Sequence, residues 1–300
     1  MSQPWQGICD LRFLTNSQTN QDSTAINTLH QGKCKAPLKM MKAFTNKDGR
    51  CELPILHSAG GLVGGDQLSV NIHGGINTSA LVSTVAAQKV YGSVGRSLLF
   101  PEGKWSKQKC SFHLEEDSDL EWIPQELIMY KGGLYEQNMI VSLSSTSSFL
   151  CVDIVRLGRT AAGETLENGS WRSSLEIKRQ LANKLHLEFI DRLELSGDSL
   201  SSIHGMNNQS VFGSLIWIMP EFISKESLPD FLKKCREERS GLHGSMACSQ
   251  LRNGISARYI GSSTKDARFW FYRIWKQSRI LRKLSPPGYL RIWPMQEVPV

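Results

Sequence analysis

A chain of 300 residues, 40% hydrophobic and 21% charged, can bury one substantial core, and one globular unit spanning residues 1–300 is expected. No run of about eighteen apolar residues occurs, and Met1-Ser2-Gln3-Pro4-Trp5 lacks a basic flank and an apolar core. Neither a membrane span nor a secretory leader is therefore expected, and the cytoplasm is the expected compartment. The net charge of +7 and pI near 9.0 come without a long basic run, so the expectation is no nucleic-acid partner but a salt-sensitive protein interface.

In chain order, Asn46-Lys47-Asp48-Gly49 is turn chemistry. His57 to Asp66 then reads HSAGGLVGGD. Its glycines Gly60, Gly61, Gly64 and Gly65 mark a backbone that turns tightly or approaches something closely, with Gly64 expected at positive φ. A nucleotide-triphosphate loop needs Lys-Ser/Thr after its last glycine, where this chain has Asp66-Gln67. The dinucleotide fingerprint needs a helix next, yet Leu68, Val70 and Ile72 alternate like a strand. Both a structural turn and a functional loop stay open.

Period-two alternation recurs at Leu81/Ser83/Val85, Met139/Val141/Leu143, Leu150/Val152/Ile154, Trp171/Ser173/Leu175/Ile177 and Leu185/Leu187/Phe189. These predict strands with one buried face, separated by turns at His73-Gly74-Gly75, Glu167-Asn168-Gly169 and Asp198-Ser199. Two helices are expected near the end of the chain. One opens at Ser227-Leu228-Pro229-Asp230; the other opens with a capping box at Ser263 and Asp266 and stops before Pro286. Trp270, Phe271, Ile274, Trp275, Leu281 and Leu284 form its apolar stripe. Lys265, Arg268, Arg273, Lys276, Arg279, Arg282 and Lys283 cover much of the rest. That basic face reads either as solvated surface or as a docking site for an acidic partner, with Arg273, Lys276 and Arg279 as the partner-binding candidates.

Catalytic patterns are weak. No G-x-S-x-G elbow occurs, and Glu115-Glu116-Asp117 sits in a charged turn. Seven scattered cysteines without C-x-x-C argue against a disulfide framework or structural zinc, and seven dispersed histidines define no metal site by spacing. Arg159 and Glu164, on the small-residue segment 158–164, read as an ion pair or as a functional pair. Glu121 and Glu126 are five positions apart and would face opposite sides of an undistorted strand, with Glu126 expected inward.

Several segments match one family in order: Ala36-Pro37-Leu38-Lys39, His57 to Asp66, Ala86-Ala87-Gln88-Lys89-Val90-Tyr91, Leu120 to Glu126, Gly158 to Glu164, and Arg291-Ile292-Trp293-Pro294. On these the chain resembles the urease accessory proteins of the UreD type, also called UreH. It departs at Lys131-Gly132-Gly133, where the family usually has an aspartate, and at Gly92, where an arginine is usual. The resemblance implies a mainly β architecture, with β-helix-like stacked sheets and a few helices in the C-terminal third. It also implies a non-catalytic scaffold that binds apo-urease and UreF, recruits the GTPase UreG, and lets nickel pass transiently with no permanently bound cofactor. A path that must release its ion suits spaced carboxylates better than a His/Cys cluster. Asp66, Glu126 and Glu164 are the expected lining, with Lys89 and Arg159 as charge partners. The alternatives are a wedge that holds apo-urease open without an ion path, and a phosphate-binding enzyme using the glycine loop.

Overall fold

The computed structural model describes residues 4–17, 26–182, 184–220, 223–288 and 290. The segment Arg291 to Pro294 and residues Met1 to Gln3 lie outside the described residues. The first strands are β1 (Gln6–Ser17), β2 (Ile26–Lys35), β3 (Leu38–Met40), β4 (Phe44–Thr45), β5 (Cys51–His57), β6 (Gln67–Gly74), β7 (Ser79–Val85), β8 (Gln88–Val90) and β9 (Ser106–Leu114). They are followed by β10 (Asp119–Ile123), β11 (Leu127–Met129), β12 (Leu134–Leu143), β13 (Ser148–Leu157), β14 (Ser170–Leu181), β15 (Lys184–Ser196), β16 (Val211–Ile218), β17 (Ser245–Leu251) and β18 (Gly254–Gly261). The helices are α1 (Asp198–Ser201), α2 (Leu228–Glu237) and α3 (Thr264–Leu281).

These strands build two stacked sheets. In the first, β1, β6, β9, β12 and β14 are parallel neighbours, with β2 and β15 antiparallel at the edges. In the second, β5, β7, β10 and β13 are parallel, continued by antiparallel β16, β18 and β17. From β5 to β14 the chain passes back and forth, adding a strand to each sheet per coil, so the expected β-helix-like stacking is what forms. Rung partners such as Cys51, Ala80, Leu120 and Phe149 are unevenly spaced because the intervening loops differ, which is why no fixed-length repeat is visible.

Val70, Cys110, Val141 and Ile177 from the first sheet meet Leu53, Val82, Phe149 and Ile216 from the second in one apolar layer. A second layer lies on the other face of the second sheet, where Leu81, Val152 and Leu215 pack under Phe231, Trp270, Ile274 and Trp275. Two faces are thus buried where one was expected: β16 is buried at every residue and β13 at nearly every one. Leu185 and Leu187 depart the other way, exposed on the edge strand β15. α3 starts as expected, the Ser263 hydroxyl accepting from the Asp266 amide at 3.1 Å. α2 has Pro229 in its first turn, although the Ser227 side chain makes no capping bond.

Candidate functional site

The glycine loop is held from within. Asp66 is buried, its Oδ1 accepting from the Trp5 amide at 2.8 Å and its Oδ2 from the Val63 amide at 2.9 Å. The Leu62 amide donates to Lys89 and the Gly65 amide to Trp105. A phosphate cradle needs free amides, and those of Leu62, Val63, Gly65 and Asp66 are already donating to the protein. Gly60 and Gly65 take positive φ, at 76° and 100°. Gly64 does not, contrary to expectation. Its requirement is space, since a Cβ there would lie 2.2 Å from the Ser93 hydroxyl and 2.8 Å from the Lys104 carbonyl.

Two of the other matched segments, Ala36 to Lys39 and Ala86 to Tyr91, hydrogen-bond this loop directly. Tyr91 hydrogen-bonds through its amide to the Leu62 carbonyl and packs edge-on against Tyr130, with ring centroids 5.0 Å apart. The Arg159 guanidinium lies over Tyr130 and makes a two-point ion pair with Glu164, at 2.7 Å from Nε to Oε2 and also through Nη2. Arg159 is exposed and Glu164 half-buried, so the pair sits at the surface. The departing residue Lys131 lies in the same group, paired with Glu167 at 2.7 Å.

Glu121 and Glu126 lie on one side and not on the opposite sides expected. Glu121 is fully buried, while the Glu126 side chain retains 18% exposure and pairs with Arg268 at 2.7 Å. The parity argument fails because Pro124 interrupts the ladder between β10 and β11. Both carboxylates consequently face α3, where Arg268 and Arg279 stand about three turns apart on one stripe.

Arg279 is not on the expected docking face. It is 1% exposed and grips Glu121. Arg50 and Arg282 join the cluster, both reaching Asp119 as well as Glu121. Burial alone would raise the Glu121 pKa, but the charges of Arg50, Arg279 and Arg282 outweigh it and hold the carboxyl well below the usual range. Arg273 is half-buried and donates to the carbonyls of Glu238 and Ser240, so Lys276 alone of the three candidates is fully on the surface.

A polar seam missed in the sequence runs between the sheets. Tyr135 donates to Gln108 at 3.1 Å, and the Gln137 amide donates to Asp153 Oδ2 at 3.1 Å. At the sheet edge Arg258 bonds Asp191 and the Ser214 hydroxyl, each at 2.6 Å. Gln137, Asp153, Asp191, Ser214 and Arg258 border a cavity of about 30 Å³, also lined by Trp122, Trp171 and Phe212, with room for one or two waters. Enclosure raises the Asp153 pKa to about 6, and it pushes the Tyr135 hydroxyl well above its usual value. The visible signal was a lone carboxylate inside the apolar run Cys151 to Val155.

The UreD urease accessory protein family model matches residues 7–294. Urease accessory protein UreD of Prochlorococcus marinus (strain NATL1A) is 62% identical over 300 residues, covering 100% of this chain and 97% of the relative. That of strain MIT 9313 is 52% identical over 294 residues, covering 98% and 92%. That of Synechococcus sp. (strain CC9902) is 52% identical over 297 residues, covering 99% and 93%. The chain belongs to the UreD urease accessory protein family. No helix among the described residues is long and apolar enough to cross a membrane.

Proposed function

We propose that this chain is a non-catalytic cytoplasmic assembly factor that binds apo-urease and accessory proteins of the UreF and UreG type and supports nickel insertion. The whole-length match to UreD proteins carries this reading. The committed amides of the glycine loop give the phosphate-binding alternative no support. The test is co-purification of the tagged chain from cells expressing urease subunits with UreF and UreG. Capture of both supports the reading, and capture of neither contradicts it.

For nickel, the seam between the sheets is a better passage than the loops. Asp66, Glu126 and Glu164 have their oxygens engaged by amides or arginine. Asp153 accepts from the neutral Gln137 amide and faces the cavity. Arg258 offsets the cost of enclosing this charge only in part, since the Asp153 pKa stays raised, and a passing divalent ion relieves the rest without a tight imidazole or thiolate grip. Asp153 is therefore the central carboxylate of the route, and Asp191 with Arg258 forms its rim. Nickel is cargo on this reading, with no cofactor permanently bound.

A further inference from the structure

The outer face of the first sheet carries a different constellation, hidden by the wide spacing of the histidines along the chain. β6 and β9 run parallel with His73 directly beside His113. Their neighbours Ile72 and Phe112 are buried in the core, so alternation turns both imidazoles outward. The rings stack with centroids 5.3 Å apart and planes at 29°. Glu115, on the turn just after β9, brings its Oε1 to 2.8 Å from His73 Nε2, across 42 residues of sequence. One ligand atom from each of the three side chains lies within 4.8 Å of the others.

We propose that His73, His113 and Glu115 bind one divalent first-row transition-metal ion of the class that accepts imidazole: nickel, zinc, copper or cobalt. Two ligands at about 2.1 Å from a common ion stand no more than about 4.2 Å apart. Side-chain rotation alone therefore closes the set around an ion. Two imidazoles with one carboxylate disfavour magnesium and calcium, which take oxygen donors. Water fills the remaining positions, because His73 and Glu115 are a third exposed and His113 is exposed. Arg12, the register partner of His73 on β1, opposes a cation, while Glu116 and Asp117 on the adjoining turn favour one.

This site lies on the face of the sheet away from the cavity and needs neither the urease reading nor a nickel route. Its test is calorimetric titration of the purified full chain with nickel or zinc sulfate, together with X-ray absorption of the nickel-loaded protein. The expected result is one site of micromolar affinity whose absorption spectrum carries imidazole scattering. The double variant His73→Ala, His113→Ala weakens binding at least tenfold, Glu115→Gln about tenfold, and Glu237→Gln, at an exposed carboxylate on α2, leaves it unchanged. The proposal would be overturned by a parent that takes up neither ion at micromolar concentration, or by one whose bound nickel shows no imidazole. Unchanged binding by the double variant would do the same.

Discussion

Glu121 and Arg279 are 158 residues apart in sequence and meet as a buried two-point ion pair, with contacts of 2.9 and 2.5 Å. One comes from the second sheet and the other from α3, so the pair ties the C-terminal helix to the β-stack beside an apolar layer. Arg50 reaches the same carboxylate from the start of β5, and Arg282 reaches it from the end of α3.

Removing the carboxylate leaves three buried guanidinium groups, of which Arg50 and Arg282 still reach Asp119 while Arg279 loses its acid. Glu121→Gln should therefore destabilise the fold by about 3–5 kcal/mol, read as a lower denaturant midpoint. Lys276→Glu, on the exposed side of the same helix, should stay within about 0.5 kcal/mol. Because the folded Glu121 pKa is depressed, the contribution is present above the unfolded carboxylate range and is lost as pH falls through the folded value. The parent and Glu121→Gln should accordingly converge only under strong acid.

Gly64→Ala should fail for lack of room, since the added Cβ meets the Lys104 carbonyl at 2.8 Å. A loss of about 1–3 kcal/mol is expected. Gly60→Ala meets nothing within 4 Å and carries only the strain of φ 76°, about 1 kcal/mol. Thermal unfolding of the two variants should rank them in that order, and the reverse order would remove the steric account of the loop.

Asp153 has the opposite pH behaviour to Glu121. Its folded pKa is raised from 3.8 to about 6, so the favourable contribution of the protonated form is complete below the unfolded pKa and lost as pH rises through about 6. Asp153→Asn has no such loss. It should match the parent near pH 4 and exceed it by roughly 2 kcal/mol at pH 7.5. Urea denaturation at the two pH values measures the difference, and an equal gap at both would show that burial does not perturb this carboxyl.

The strands were legible where one face meets a core and the other meets solvent, as at Leu68, Val70 and Ile72. Alternation vanishes in Val211 to Ile218, because helices cover the far side of that sheet and both faces are apolar. The Ser263–Asp266 cap was readable because it is local chemistry. Arg279 was not, because a helical wheel assigns arginine to solvent unless a buried acid is known to await it. Asp153 was obscured in a similar way, since nothing along the chain says that it and Gln137 face one cavity. His73 and His113 become neighbours only through the parallel register of β6 and β9.

The central claim is that the seam around Asp153 carries nickel toward apo-urease. Asp153→Asn keeps the volume and the hydrogen-bonding reach of the side chain while removing its charge, so the scaffold should still capture its partners in a pull-down. The decisive measurement is nickel per urease active site, by elemental analysis of urease matured with this variant. The account predicts an intact complex with nickel content clearly below the parent's. Full nickel content in urease from an intact Asp153→Asn complex would contradict it and leave a scaffold that opens apo-urease without conducting the ion.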